Sequence, residues 1–266
     1  QRRLMRAVEQ HDQGLHVLAY DDPYEPAIEG LRSLQTSLHF SLADIAHPLV
    51  LVSGPAPGTG KSFVSVNLAA VHAASGRRVL LIDGDLRKGY LHQYFGLERG
   101  PGFAELLDGR ADADDVVRRG VAPNLDFLPT GELPHAPTAL LQHARAGTLL
   151  ASLRARYDLV VVDSAPLLAA TDATWLDMYA NAALLVARAG STRAGELVES
   201  AKRLPQRPDR LVGVVLNGLD PRSGASAFGS KYGGYRYEAY RYTCETRCTH
   251  VARLRAVLQR LLRRSA

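Results

Sequence analysis

Cysteine is nearly absent from this chain of 266 residues, which contains only Cys244 and Cys248. Two cysteines do not make the framework of disulfides that holds many small secreted domains together, so we expect a reducing compartment. No second cysteine pair and no nearby His-x-x-x-His accompanies them, so their spacing does not favour a metal site.

Long apolar runs are also missing. No run reaches the ~18 residues of a membrane-spanning helix, and the sequence shows no signal peptide. The chain begins with Gln1 rather than Met, so we expect a piece of a longer protein or a processed one. A hydrophobic content of 46% and a charged content of 22% are typical of a soluble globular protein.

Acidic residues are scarce in the C-terminal part. From Arg222 onward the chain has ten Lys or Arg against two Asp or Glu, a net charge of +8, which leaves −3 for the rest. A basic tail favours acidic lipid headgroups, nucleic acid or an acidic partner surface, although most such tails are simply solvated.

A loop rich in glycine and proline follows an apolar stretch over 48–52 that predicts a buried strand. The residues expected to bind phosphate are Gly58, Thr59, Gly60, Lys61 and Ser62. Glycines let N–H groups turn toward phosphate oxygens, Lys61 is expected to reach the β- and γ-phosphates, and Ser62 is expected to hold Mg²⁺. The strict P-loop pattern is missed by one position, because Pro55 stands where it requires glycine. A turn before an ordinary helix is therefore the alternative.

Two later apolar runs end in aspartate. The run over 78–82 leads to Asp83 and Asp85, and the run over 159–162 leads to Asp163. Carboxylates at the C-terminal edge of a parallel sheet lie beside its ligand crevice, and an aspartate after a P-loop can hold Mg²⁺ through water. A turn at Asp83 and a plain buried strand before Asp163 are the alternatives.

Strand and helix patterns alternate along the chain, with no internal repeat. Besides the three above, strands are predicted over 124–129, 183–188 and 211–217. One helix is predicted to start at Pro26, two short helices lie around Gly109 within 103–119, and further helices cover 140–154 and 195–204. This alternation predicts an α/β fold of the P-loop NTPase type, with one mostly parallel sheet and helices on both faces. The candidate site residues then meet at one edge.

The tail changes character after Arg222, where Gly, Ser and Ala predict a flexible segment. Five tyrosines then lie within eleven residues, at Tyr232, Tyr235, Tyr237, Tyr240 and Tyr242. They could form a surface that stacks nucleic-acid bases or an array of phosphate acceptors. A basic amphipathic helix is predicted over 249–264, with its apolar side free for the domain, a partner or a membrane surface.

Taken together, these motifs resemble the cytoplasmic kinase domain of the bacterial tyrosine kinases, the BY-kinases. The resemblance runs from about residue 20 to 243 and rests on the P-loop, both aspartate motifs and the tyrosine cluster. It divides the chain into an arm or linker over 1–20, a P-loop kinase domain over 21–220, a flexible tyrosine-rich tail over 221–248 and a basic helix over 249–266. It implies a kinase that uses ATP to phosphorylate its own tyrosine cluster in trans.

The resemblance also implies roles for single residues. Lys61, Asp83, Asp85 and Asp163 match catalytic positions, one of the paired aspartates lying close enough to accept the proton of the tyrosine. The cofactors implied are ATP and Mg²⁺, with the metal at Ser62, Asp83 and Asp163. Asn217 resembles the position that contacts adenine in related ATPases.

Partners follow from the same resemblance. The family motif Glu-x-x-Arg-x-x-Arg contributes to contacts in a homo-oligomeric ring, an octamer in the family, and here Glu29 and Arg32 match while Gln35 replaces the second arginine. A transmembrane activator segment or subunit and a cognate tyrosine phosphatase are further expected partners, and nucleic acid is not expected. The implied location is the cytoplasmic face of the bacterial inner membrane, in the control of exopolysaccharide or capsule polymerisation and export.

Two alternatives remain at this stage. A partitioning or site-selection ATPase of the ParA/MinD type shares the sheet and both aspartate motifs, but it carries a signature lysine where Ala56 stands and has no tyrosine tail. A non-catalytic, nucleotide-gated assembly module would bind ATP and transfer little phosphate, and the presence of Lys61 and the aspartates argues against it.

Overall fold

The computed structural model describes residues 17–208 and 210–219. The tyrosine cluster and the predicted basic helix lie outside the described residues. Within the described part, one sheet consists of β1 Leu49–Ser53, β2 Val79–Asp83, β3 Arg118–Ala122, β4 Leu125–Leu128, β5 Leu159–Asp163, β6 Ala182–Arg188 and β7 Leu211–Asn217. The helices are α1 Leu18–Asp21, α2 Pro26–Ser41, α3 Lys61–Ala74, α4 Phe103–Asp108, α5 Ala113–Val116, α6 Pro137–Gln142, α7 Ala144–Arg154, α8 Asp172–Asp177 and α9 Ala194–Arg203, with a 3₁₀ turn at Leu91–Phe95.

The sheet has the strand order β3-β4-β2-β5-β1-β6-β7. The β3–β4 pair is antiparallel, and every other neighbouring pair is parallel. The predicted mostly parallel α/β sheet is therefore confirmed. The C-terminal ends of β1, β2, β5, β6 and β7 lie along one edge, because these strands run in the same direction.

Each face of the sheet has its own core, because side chains alternate between the two faces of a strand. Val50, Val52 and Val161 belong to the core that includes residues of α2 and α3. Leu49 and Leu51 belong to the opposite core, which includes residues of α4 to α8. The central strands are buried on both sides, which explains why they appear in the sequence as continuous apolar runs.

Two details differ from the sequence prediction. The edge strand β3 was not predicted, because its Arg-Arg-Gly-Val-Ala sequence is polar and partly exposed. The helix predicted over 140–154 is wrong as one element, since it is divided at His143 into α6 and α7. The His143 backbone is extended, and its Nδ1 accepts the N–H of Arg145, so the side chain caps the second helix.

Residues just before the first long helix are packed on the domain. Val17 is fully buried, and the N–H of Ala19 donates to Oδ1 of Asn67 in α3 at 2.8 Å. Residues 17–20, which we assigned to the arm, thus contact the domain. Among the described helices, none combines the length and the apolar character that crossing a bilayer requires.

A buried histidine in α3 makes stability depend on pH. His72 is 1% exposed, and neither ring nitrogen has a hydrogen-bond partner among the described residues. Burial, with smaller contributions from Arg77 and His39, lowers its pKa from 6.5 to about 3. As the pH falls below 6.5 the unfolded chain takes up a proton that the folded protein refuses, so stability is lost as the pH falls.

We expect His72→Leu to abolish this loss. Relative to the variant, the wild type should lose up to ~1.4 kcal/mol of unfolding free energy per pH unit below the ordinary histidine pKa. Denaturant unfolding at several pH values gives the unfolding free energies of both proteins. The titrations of all groups other than His72 are shared by the two proteins, so they cancel in the difference between these free energies. The control is the same substitution at the exposed His135. Parallel stability curves for the wild type and His72→Leu would contradict the prediction.

Candidate active site

The loop between β1 and α3 forms the phosphate-binding cradle. Gly58 and Gly60 have φ of 77° and 95°, a left-handed conformation that favours glycine, and Gly60 is the N-cap of α3. A Cβ at Gly58 would meet no atom within 4 Å, so the space beside the loop is open. Successive N–H groups in such a loop, followed by a helix N-terminus, form an anion-binding concavity.

Packing explains why residue 54, one position before the place where the strict P-loop pattern requires glycine, is itself a glycine. A Cβ at Gly54 would lie 2.6 Å from the carbonyl oxygen of Val186 and 3.0 Å from Oγ1 of Thr59. Only glycine lets β1 leave the sheet this close to β6 and to the loop. The loop therefore keeps its cradle although Pro55 interrupts the strict pattern.

Lys61 is the first residue of α3 and is 7% exposed. Its Nζ donates to the carbonyl oxygen of Ala56 at 3.3 Å, across the loop. Burial lowers its pKa, and the nearby carboxylates of Asp163 and Asp85 oppose that shift. The ammonium is thus held inside the cradle, where it can neutralise phosphate charge.

Two serines of α3 bind the aspartate at the end of β5. Ser62 Oγ donates to Asp163 Oδ2 at 2.8 Å, and Ser65 Oγ donates to Oδ1 at 2.7 Å. Burial raises the pKa of Asp163 to about 6, against the two serine hydrogen bonds and Lys61. Ser65 was not predicted, although its spacing of three from Ser62 puts both side chains on one face of the helix.

Asp83 lies beside Asp163, since their Cα atoms are register partners in β2 and β5. It is fully buried, with Oδ2 accepting the N–H of Leu91 at 2.9 Å and Oδ1 that of Asp85 at 3.4 Å. Burial, and next the charge of Asp163, raise its pKa to about 7. A cation bound between these acids would favour their charged forms.

Asp85 differs from Asp83 in its access to solvent, because it follows the strand and is only half-buried. Its Oδ1 accepts the N–H groups of Arg87 at 3.1 Å and Lys88 at 3.0 Å. These local bonds orient the carboxylate while leaving Oδ2 without a described hydrogen bond. Of the two neighbouring aspartates, Asp85 is thus the one that an incoming group can reach.

Tyr90 is a second residue that the sequence did not point to. Burial, more than any other influence, raises the pKa of its hydroxyl, and the nearby Ser62 side chain opposes that shift. The residue is 42% exposed, so its ring lies at the border between the site and solvent.

Asn217, the last residue of β7, lies against the phosphate-binding loop. Its Nδ2 donates to the Thr59 carbonyl oxygen at 3.0 Å, and a Cβ at Gly60 would lie 1.9 Å from that nitrogen. Arg188 at the end of β6 donates from Nη1 to the Gly58 carbonyl oxygen at 3.1 Å. Both side chains brace the loop from the neighbouring strands, and no local pattern indicated the contact of Arg188.

The donor set fits a magnesium nucleotide. Hydroxyl and carboxylate oxygens are the ligands that Mg²⁺ prefers, and Ser62 and Asp163 offer both within one hydrogen bond of each other. No group of three or more His, Cys, Asp or Glu in residues 17–208 and 210–219 could hold a metal ion. At nucleotide-dependent sites Mg²⁺ is usually bound by one or two carboxylates together with phosphate oxygens.

Comparisons with known proteins agree with this geometry. A family model described as "AAA domain" matches residues 50–199. EpsB of Ralstonia nicotianae is 48% identical over 233 residues, 88% of this chain and 31% of that protein. The tyrosine-protein kinase Wzc of Salmonella typhimurium is 38% identical over 222 residues, 84% of this chain and 30% of that protein. The solved kinase domain of the Escherichia coli tyrosine kinase ETK has a TM-score of 0.75 and 37% identity, covering 80% of this chain and 84% of that one.

This chain belongs to the bacterial tyrosine kinase family. It spans about a third of the length of the curated relatives it matches, between 28 and 31%.

The family resemblance inferred from the sequence is confirmed, and the ParA/MinD alternative is not favoured. The septum site-determining protein MinD of Pyrococcus horikoshii has a TM-score of 0.52 and 24% identity, which shows a shared fold alone. Ala56 stands where that group carries a lysine, and its carbonyl oxygen accepts a hydrogen bond from Nζ of Lys61.

The predicted ring residues lie on the exposed part of α2. Arg32 Nη1 is 3.0 Å from Glu29 Oε2, and their side chains are 41% and 64% exposed. Gln35, at the position of the missing arginine, instead donates from Nε2 to Ser75 Oγ at 2.8 Å. Gln35 therefore holds α2 against the end of α3 in this chain.

Proposed function

We propose that this chain is an ATP-dependent protein-tyrosine kinase that phosphorylates its own C-terminal tyrosine cluster in trans and thereby regulates exopolysaccharide or capsule polymerisation and export. The observation that carries the proposal is the meeting of a buried lysine with three aspartates at one sheet edge. Lys61 is close enough to Asp163 and Asp85 for both to act on its pKa, and Asp83 is paired with Asp163.

Phosphate binding is assigned to the loop and the start of α3. The N–H groups of residues 58–62 bind the phosphate oxygens, and Lys61 neutralises the charge that shifts during transfer. Ser62, Asp83 and Asp163 would hold the magnesium ion, which when bound would neutralise phosphate charge and orient the triphosphate. Asn217 holds the loop through the Thr59 carbonyl oxygen, and we assign to it the contact with adenine.

Proton removal is assigned to Asp85. A tyrosine phenol has a pKa near 10, so a carboxylate that accepts its proton assists attack at neutral pH. The phenolic oxygen forms the new bond to phosphorus, the bond to the ADP oxygen breaks, and the proton passes to the carboxylate. Asp83 is unsuited to this role, because it is fully buried and bonded to two backbone N–H groups.

Transfer in trans requires a neighbouring copy, which we assign to a homo-oligomeric ring that uses Glu29 and Arg32, an octamer by family resemblance. A transmembrane activator segment or subunit and a tyrosine phosphatase complete the proposed partners, at the cytoplasmic face of the inner membrane. The unmatched two-thirds of the relatives' length leaves room for such a segment in the full protein.

Replacing Tyr232, Tyr235, Tyr237, Tyr240 and Tyr242 with phenylalanine tests the proposal. We expect most phosphate incorporation from Mg-ATP to be lost, because five of the 11 tyrosines of the chain lie in this cluster. Mg-ATP affinity should not change, since the residues assigned to phosphate binding, 58–62, lie outside the substituted cluster. Mass spectrometry after incubation with Mg-ATP measures the label and its positions.

The control is Tyr24→Phe, which removes a tyrosine that is 77% exposed within the domain. It should leave labelling unchanged. Phosphate that maps mainly to Tyr20 or Tyr24 would contradict the proposed acceptors. ATP hydrolysis without any phosphotyrosine would indicate an ATPase instead of a kinase.

A further inference from the structure

An ion pair joins the loop that carries Asp85 to the start of α8. Arg87 donates from Nε to Oδ2 of Asp172 at 2.6 Å and from Nη2 to Oδ1 at 3.1 Å. Asp172 is the first residue of α8 and is fully buried, whereas the Arg87 side chain is 45% exposed. A bidentate contact of this kind restricts the guanidinium in direction as well as in distance.

A third segment joins this pair. Thr138 in α6 donates from Oγ1 to Oδ1 of Asp172 at 2.6 Å, and Arg87 Nη2 also donates to Thr138 Oγ1 at 3.3 Å. The loop after β2 and the starts of α6 and α8 therefore meet at one buried carboxylate. Breaking the set at one partner leaves that carboxylate without full compensation.

A single residue, Arg87, connects Asp172 to Asp85. The backbone N–H of Arg87 donates to Asp85 Oδ1, while the side chain of the same residue is fixed to Asp172. On its other side the loop is packed tightly, because a Cβ at Gly89 would lie 1.7 Å from Oγ1 of Thr130. The direction of the Asp85 carboxylate thus depends on where Asp172 holds Arg87.

We propose that Arg87 and Asp172 are positioning residues that orient the Asp85 carboxylate toward the incoming phenol. This inference rests on the proposed kinase function. Among the described hydrogen bonds and ion pairs, none joins Arg87 or Asp172 to the phosphate-binding loop, which is held by Asn217 and Arg188. Loss of the pair therefore slows phosphoryl transfer and leaves nucleotide binding unchanged.

The test compares Asp172→Asn and Arg87→Lys with a matched pair at the opposite edge of the sheet. Arg78 and Asp158 form a similar contact, with Nη2 and Oδ1 2.9 Å apart, just before β2 and β5. Initial rates of autophosphorylation are measured over a range of ATP concentrations. We expect the site variants to lose ~10- to 100-fold in kcat with KM for ATP changed less than ~2-fold. Asp158→Asn and Arg78→Lys should keep the wild-type kcat.

A double variant separates positioning from simple stability. Arg87→Met with Asp172→Leu removes both charges, so unfolding stability should recover relative to Arg87→Met alone, while kcat stays low. A kcat that recovers together with stability would overturn the positioning role. So would wild-type kcat in Asp172→Asn. An inactive wild-type chain would overturn the proposed function, and the positioning role with it.

Discussion

Replacing Lys61 with methionine should reduce ATP-dependent tyrosine phosphorylation by ~1,000-fold or more. Methionine has a similar length but no charge, so the phosphates lose the one buried ammonium that the loop holds near them. The fold should be retained, because burial already opposes the charge of Lys61 and only one hydrogen bond, to Ala56, is lost. Phosphotyrosine formed by the purified variant, together with its unfolding curve, measures both effects.

A matched substitution excludes a general effect of removing a lysine. Lys202→Met changes a side chain of α9 that is 70% exposed, and it should leave labelling unchanged. Robust labelling by Lys61→Met would refute the assignment of this lysine. A variant that does not fold would instead show that the buried ammonium is required for stability.

Replacing Asp163 with asparagine should strongly weaken the dependence of activity and of stability on magnesium, because one proposed ligand is lost while Ser62 and Asp83 remain. At a ligand concentration ~100 times Kd, a nucleotide stabilises its protein against unfolding by ~2.7 kcal/mol. In Asp163→Asn, most of the extra stabilisation that the nucleotide gives when Mg²⁺ is present should be lost. Phosphorylation should fall by ~100-fold or more, because the charge that orients the metal is gone. Thermal unfolding with ADP, with and without Mg²⁺, and the rate of labelling measure these effects.

The same variant also tests whether the buried charge of Asp163 destabilises the fold when no metal is bound. The folded pKa of Asp163 is raised to about 6 from 3.8, so the cost of burying its charge grows as the pH rises between these values. Without Mg²⁺ and at neutral pH, Asp163→Asn should therefore be no less stable than the wild type. The control is Asp158→Asn, before the same strand and with its side chain 36% exposed, which should keep the response to Mg²⁺. A Mg²⁺ response in Asp163→Asn as large as that of the wild type would place the metal elsewhere.

Local patterns in the sequence were sufficient for much of the fold. Strands buried on both faces leave continuous apolar runs, and the helices between them imply parallel neighbours. The same patterns did not predict β3, because an exposed edge strand has no apolar run to mark it. The break at His143 was missed for a related reason, since its cap is a single contact between a histidine ring and the N–H of Arg145.

For the site, the sequence by itself determined which residues stand at the ends of the strands and in the glycine loop: Lys61, Ser62, Asp83, Asp85 and Asp163. Only the tertiary structure decided which partners they have. It joined Asp163 to Ser62 across 101 positions and Arg87 to Asp172 across 85. A strand or a loop is encoded by its near neighbours, whereas the choice of one buried partner among many charged side chains is made by packing, because only a folded chain removes the others from reach.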